Sequence, residues 1–150
     1  MKKTDITTVL NDVLVGLFRN ITSIEEKALK AGNYKDLTVN DMHVIEMIDV
    51  HEPKNMTSVA RKLMVTTGTL TISVNGLVKK GYVERTRSEE DRRVVLISLT
   101  DKGRKAFAQH ESFHESMIDS VLTGLEKEEQ EVLEKALLNL SGFFNDWAQR

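Results

Sequence analysis

The stretch Leu63–Gly103, LMVTTGTLTISVNGLVKKGYVERTRSEEDRRVVLISLTDKG, changes its period midway. In the first half, Leu70, Val74 and Leu77 recur at steps of three and four, the spacing of one helical face. Thr66 precedes them as a capping hydroxyl, and Gly81 follows as a stop. Beyond Gly81, YVERTR and VVLISLT are both β-prone, and the polar SEED between them suits a turn. The segment therefore predicts a helix that runs directly into a hairpin.

Working outward, MTSVARK predicts a short helix carrying Val59, Ala60 and Leu63, with Thr57 as its cap and a tight turn at Met64–Val65. Two short helices joined by a tight turn read as a helix-turn-helix, with a generic helical hairpin as the alternative on this segment alone. The hairpin that follows makes it the winged form. Upstream, Thr38 with Asp41 three residues on predicts the start of another helix, which places Met42, Ile45 and Ile48 on one side and is closed by Pro53, the only proline.

The chain ends carry broader apolar stripes. Leu10, Val13, Leu17, Ile21, Ile24 and Ala28 predict a long first helix from Ile6 to about Ala31-Gly32-Asn33-Tyr34. Phe107, His110, His114, Met117, Val121 and Leu125 mark a fifth helix, and Leu133, Leu137, Leu140, Phe144 and Trp147 a sixth. A small winged lobe cannot cover that much apolar surface, and the simplest way to bury it is against a second copy across a two-fold axis. The predicted fold is mainly α with a small β-wing (α+β): a winged helix-turn-helix lobe on a helical dimerisation platform, as an obligate homodimer. Residues 1–150 form a single domain, with 1–34 and 101–150 as dimerisation helices and 35–100 as the DNA-binding lobe.

Charge is distributed to match. The formal net charge is -2, yet residues 61–105 hold 11 Lys/Arg against 5 Asp/Glu, while residues 106–150 hold 3 against 9. A basic module between acidic ends fits a polyanion-binding lobe, although patches of this size also occur as plain solvated surface. The absence of cysteine removes disulfides, thiolate metal sites and a catalytic thiol. No leader and no membrane-spanning stretch is predicted, and a cytoplasmic setting is expected. Catalysis is not expected: there is no Gly-rich phosphate loop, no nucleophile elbow and no HExxH, and the paired histidines lack an adjacent nucleophile.

The order and spacing of LMVTTGTLTISVNGLVKKGYVERTRSEEDRRVVLISLTDKG, with Gly81, the Asp91-x-Arg93 pair, and Leu99-Thr100 followed by Gly103, resemble the MarR family of winged-helix transcriptional regulators. The resemblance implies a homodimer in which the first, fifth and sixth helices intertwine and each subunit presents one winged lobe to an operator half-site. YKDLTVNDMHVIE, LMVTTGT and RSEEDRRVV look like the FabT-type repressors of fatty-acid synthesis within that family. That likeness implies a long-chain acyl group on acyl carrier protein as corepressor.

In this reading the helix from Thr66 enters the major groove of double-stranded DNA. Its N-terminal amides favour phosphate, and Thr67, Thr69, Thr71 and Asn75 reach base edges. No Arg or Lys stands on its exposed face before Lys79, so an A/T-rich pseudo-palindrome read partly by shape is expected. Arg93 is the candidate for a narrow minor groove, held by Asp91; Arg85, Arg87 and Arg92 address phosphates, with Ser88 in the turn. A purely structural Asp91–Arg93 clasp, or threonines that are only surface, are the alternatives.

The histidines form a second set. His110 and His114, one turn apart on an apolar face, share a direction. With Glu25 and His43 they match, position by position, one metal site of the zinc-dependent adhesin-competence repressors of the same family, and a carboxylate with three imidazoles is adequate for zinc. The second metal site of those repressors uses a cysteine, which this chain lacks. No cofactor is therefore expected, zinc being the alternative, and the histidines are read as polar markers at the wall of an effector cavity.

Overall fold

The computed structural model describes residues 5–149, so residues 1–4 and 150 of the predicted dimerisation segments lie outside the described residues. The elements are α1 (Ile6–Ala31), α2 (Val39–Ile48), β1 (Lys54–Asn55), α3 (Met56–Lys62), α4 (Thr67–Lys80), β2 (Val83–Arg87), β3 (Val95–Leu99), α5 (Asp101–Leu122) and α6 (Lys127–Ala148). They fall into two units, one ending at His110 and the other running from Glu111.

The first unit holds the core. α2 begins with a capping box, in which Thr38 Oγ1 accepts from Asp41 N at 3.1 Å and Asp41 Oδ2 accepts from Thr38 N at 3.0 Å. α2 then buries Met42, Ile45 and Ile48 completely. From α4, Leu70, Val74 and Leu77 meet them, joined by Val59 of α3, Ile97 and Leu99 of β3, and Tyr82. The helix-turn-helix and the sheet thus share one apolar interior, so the wing's base is anchored in the same core as the helix beside it.

Two glycines fix that arrangement. Gly81 ends α4 in the left-handed region, at φ 83, where a side chain is strained. Gly103 lies so close to the Tyr82 carbonyl that a Cβ would run into it. Between them the chain is stitched: Thr100 N donates to Tyr82 O at 3.0 Å, Thr100 Oγ1 to Gly81 O at 2.6 Å, and Lys102 Nζ to Lys80 O at 2.9 Å.

Three local expectations are corrected. α3 is capped by Asn55, whose Oδ1 accepts from Ser58 N at 2.8 Å, and not by Thr57, which lies inside the helix. Asn55 wins because the extended backbone a cap needs is imposed on it by β1. α2 stops at Asp49, not at Pro53: Asp49 adopts φ 70 and accepts from Val50 N, the local bond that lets a short acidic side chain hold such a turn. Finally, the sheet has three antiparallel strands in the order β1-β3-β2, not two, with Lys54 opposite Ile97 and Asn55 opposite Leu96.

The second unit contains the end of α5 and α6, connected through Gly124 at φ 86. Leu137, Leu138, Phe143, Phe144 and Trp147 of α6 are exposed, and no described residue of α6 is buried. In the first unit, α1 likewise leaves Leu10, Val13, Leu17, Ile21 and Ile24 exposed, the stripe that its periodicity predicts.

Candidate nucleic-acid interface

α4 is built to turn one face outward. The Thr66 hydroxyl accepts from Thr69 N at 3.1 Å and meets the Thr69 hydroxyl at 2.9 Å, closing the first turn. Because Leu70, Val74 and Leu77 point into the core, the opposite side presents Gly68, Ile72, Asn75 and Lys79, with Thr67, Thr69 and Thr71 exposed at its flanks. The Thr71 hydroxyl donates back to Thr67 O at 2.7 Å, a local bond that ties down an exposed side chain.

The wing's tip is a compact turn. Ser88 N donates to Val94 O at 3.0 Å and Val94 N to Asp91 O at 2.9 Å, while Ser88 Oγ accepts from Glu90 N and Asp91 N. Asp91 Oδ1 accepts from Arg93 N at 3.0 Å and from Arg93 Nε at 3.3 Å. The Arg93 side chain is nevertheless 93% exposed, so the clasp orients it without withdrawing it from a partner. Arg87 donates to the Arg92 carbonyl at 2.9 Å, and Arg85 reaches across to Asn75 Oδ1. A guanidinium has five donors, so both keep others for phosphate.

Sequence reasoning missed two residues here. Arg61 of α3 and Arg93 line the same open cleft of about 610 Å³ between α3 and the wing, a juxtaposition that depends on tertiary packing. The second is Ile72, an apolar residue whose spacing from Leu70 and Val74 places it on the outward face, where polar side chains are the expected signal.

The histidine set is partly assembled within the first unit. His43 Nε2 lies 3.7 Å from Oε2 of buried Glu25, and His110 Nε2 lies 3.2 Å from Glu46 Oε1. The Glu46 hydrogen bond raises the pKa of His110 above the ordinary imidazole value; burial opposes this, and the charges of Glu46 and Glu25 add to it. Glu46 joins the set unforeseen. His114 follows one turn later in α5 and belongs to the second unit. The donor types suit zinc, and Glu46 is placed as the outer carboxylate that orients a ligating imidazole. The same carboxylate equally serves a protonated imidazole with no metal.

A helix-turn-helix whose second helix faces outward, followed by a basic hairpin projecting an arginine from its tip, defines a winged-helix DNA-binding protein. Residues 37–95 match the MarR family. The chain is 30% identical over 106 residues to the uncharacterized HTH-type transcriptional regulator YpoP of Bacillus subtilis, covering 71% of this chain and 69% of YpoP. It is 40% identical to FabT of Streptococcus pneumoniae in the crystal structure of FabT with DNA, with a TM-score of 0.86 and coverage of 94% of this chain and 99% of that one. The Staphylococcus aureus MepR–DNA complex shares the fold at 17% identity and a TM-score of 0.71, covering 96% and 99%. The chain belongs to the MarR family and is a DNA-binding transcriptional regulator.

Proposed function

We propose that this regulator represses genes of fatty-acid synthesis and binds its operator more tightly when acyl carrier protein carrying a long acyl chain is present. The observation that carries the reading is the 40% identity, over nearly the whole chain, to FabT in its complex with DNA. It acts as a homodimer through the exposed stripes of α1 and α6, in the cytoplasm, on an A/T-rich pseudo-palindrome. Thr66, Thr67, Thr69, Thr71, Asn75 and Lys79 face the major groove. Arg93 enters the minor groove, oriented by Asp91, while Arg85, Arg87 and Arg92 address the phosphate backbone and Ser88 shapes the turn of the wing.

The effector works only through a difference in affinity between lobe spacings that do and do not fit successive grooves. Burial of an acyl chain offers about 0.8 kcal/mol per methylene, ample for a coupling of a few kcal/mol. The zinc reading is supported by the His43–Glu25 approach: Glu25, His43, His110 and His114 would hold the ion, and its chemistry would be structural, fixing one lobe spacing. Band shifts of an upstream fragment of a fatty-acid-synthesis operon, titrated with acylated carrier protein, zinc and chelator, separate the two. Enhancement by acyl carrier protein is expected; enhancement by zinc alone, abolished by chelator, would replace it with the metal reading.

A further inference from the structure

Residues 68, 72 and 76 follow one another at one-turn intervals along α4 on the side away from Leu70, Val74 and Leu77, the first two exposed and Gly76 half-buried. The middle one is Ile72, 75% exposed, a large apolar side chain standing among threonines, an asparagine and a lysine. The other two are glycines: Gly68 stands in the first turn, and Gly76 lies well inside the helix, where glycine destabilises it relative to alanine.

Among the described residues, nothing crowds either glycine. A Cβ at Gly76 would meet no atom within 4 Å, and at Gly68 the nearest would be Thr66 Oγ1 at 3.8 Å, an ordinary contact. Neither has the positive φ of Gly81, and neither faces a carbonyl as Gly103 does. The cost at Gly76 is offset if something approaches the helix from outside, and Gly68 leaves the same side bare one turn beyond Ile72. Charge says what that is: Lys79 shares this face, and Arg85, Arg92 and Arg93 project from the adjoining wing, a surface for a polyanion.

Ile72 carries no hydrogen-bonding group, so it cannot read the polar edge of any base. The one apolar group that a base presents in the major groove is the C5-methyl of thymine. Isoleucine is shorter than the arginine or glutamine that reads bases in other helices, so the helix axis must come closer for it to arrive. Residues without side chains one turn before and after permit that approach.

We propose that Ile72 is a specificity-determining residue that reads a thymine C5-methyl in each half-site, with Gly68 and Gly76 setting the depth of α4 in the groove. The proposal rests on the reading that α4 enters the major groove, and the test keeps the two apart. The full chain first selects duplexes from a random 30-base-pair pool. One recovered duplex is then resynthesised with each thymine singly replaced by deoxyuridine, which deletes only the methyl. In fluorescence anisotropy, one thymine position per half-site should cost the wild type roughly three- to five-fold in affinity, the size of one lost methyl contact. Ile72→Ala should bind the thymine and uracil duplexes equally at that position.

No sensitive thymine, or the same sensitivity retained by Ile72→Ala, overturns the assignment while leaving DNA binding intact. Recovery of no duplex at all would overturn the groove reading and this assignment with it. Gly76→Ala should raise the thermal midpoint by roughly 2–4 °C, as expected for one helix glycine replaced in a chain of this size, yet weaken binding to the same duplex at least five-fold. A lower midpoint, or unchanged affinity, would overturn the role given to the glycines.

Discussion

The Arg85 guanidinium donates to Asn75 Oδ1 at 2.5 Å, bonding the first strand of the wing's hairpin to the outward face of the recognition helix. Two elements expected to read different grooves are therefore presented as a coupled pair. Arg85→Ala and Asn75→Ala should each weaken binding to a selected duplex, and the double variant should lose less than the sum by about 0.5–1 kcal/mol. Strict additivity in anisotropy titrations would mean that the bond plays no part in presentation.

Arg93→Ala should weaken binding by about 1–3 kcal/mol and leave the fold intact, since the side chain is almost fully exposed. Asp91→Ala should also weaken it, by about 0.5–1.5 kcal/mol, because the arginine must then be ordered on binding. Tighter binding by Asp91→Ala would show that the acid acts as a repelling charge and not as a clasp.

Truncation after Gly124 removes Leu133, Leu137, Leu140, Phe144 and Trp147 and should expose the stripe they cover in the dimer. The intact chain should scatter light as twice its 17.0 kDa, and the truncated one should aggregate. A soluble truncated monomer would exclude α6 from a shared core.

His110 supplies a pH test. Glu46 raises its pKa, so the protonated imidazole favours the folded state. That stabilisation is complete below the unfolded value of about 6.5 and is lost as pH rises through the higher folded one. The thermal midpoint should fall between pH 6 and pH 8, and Glu46→Gln should flatten the fall, with the charge of Glu25 left to act on the imidazole. An identical slope in both proteins would detach His110 from the effect.

What was legible in the sequence was local. Thr66 and Gly81 bracket α4 because caps act within a turn, and Asp91 holds Arg93 two residues away. Gly103 stood out as a signature residue, but its reason, the Tyr82 carbonyl, is a tertiary contact. The strand β1 is too short to carry a period, so the third strand and the cap at Asn55 were hidden together. Glu46 lies in α2 and His110 in α5, and no spacing announces a pair between helices so remote in sequence.

The seam of Thr100, Lys102 and Gly103 against Lys80, Gly81 and Tyr82 leaves no slack between the end of α4 and the beginning of α5. A joint of this kind works as a crank. Whatever tilts the first turns of α5 carries α4 with it, and a 14-residue helix is about 21 Å long, so a tilt of about 5° at the seam displaces the distal, Thr67 end by roughly 2 Å. That is more than half the length of a hydrogen bond. In the proposed DNA-bound state, the threonines at that end would therefore keep or lose their register according to the tilt of α5.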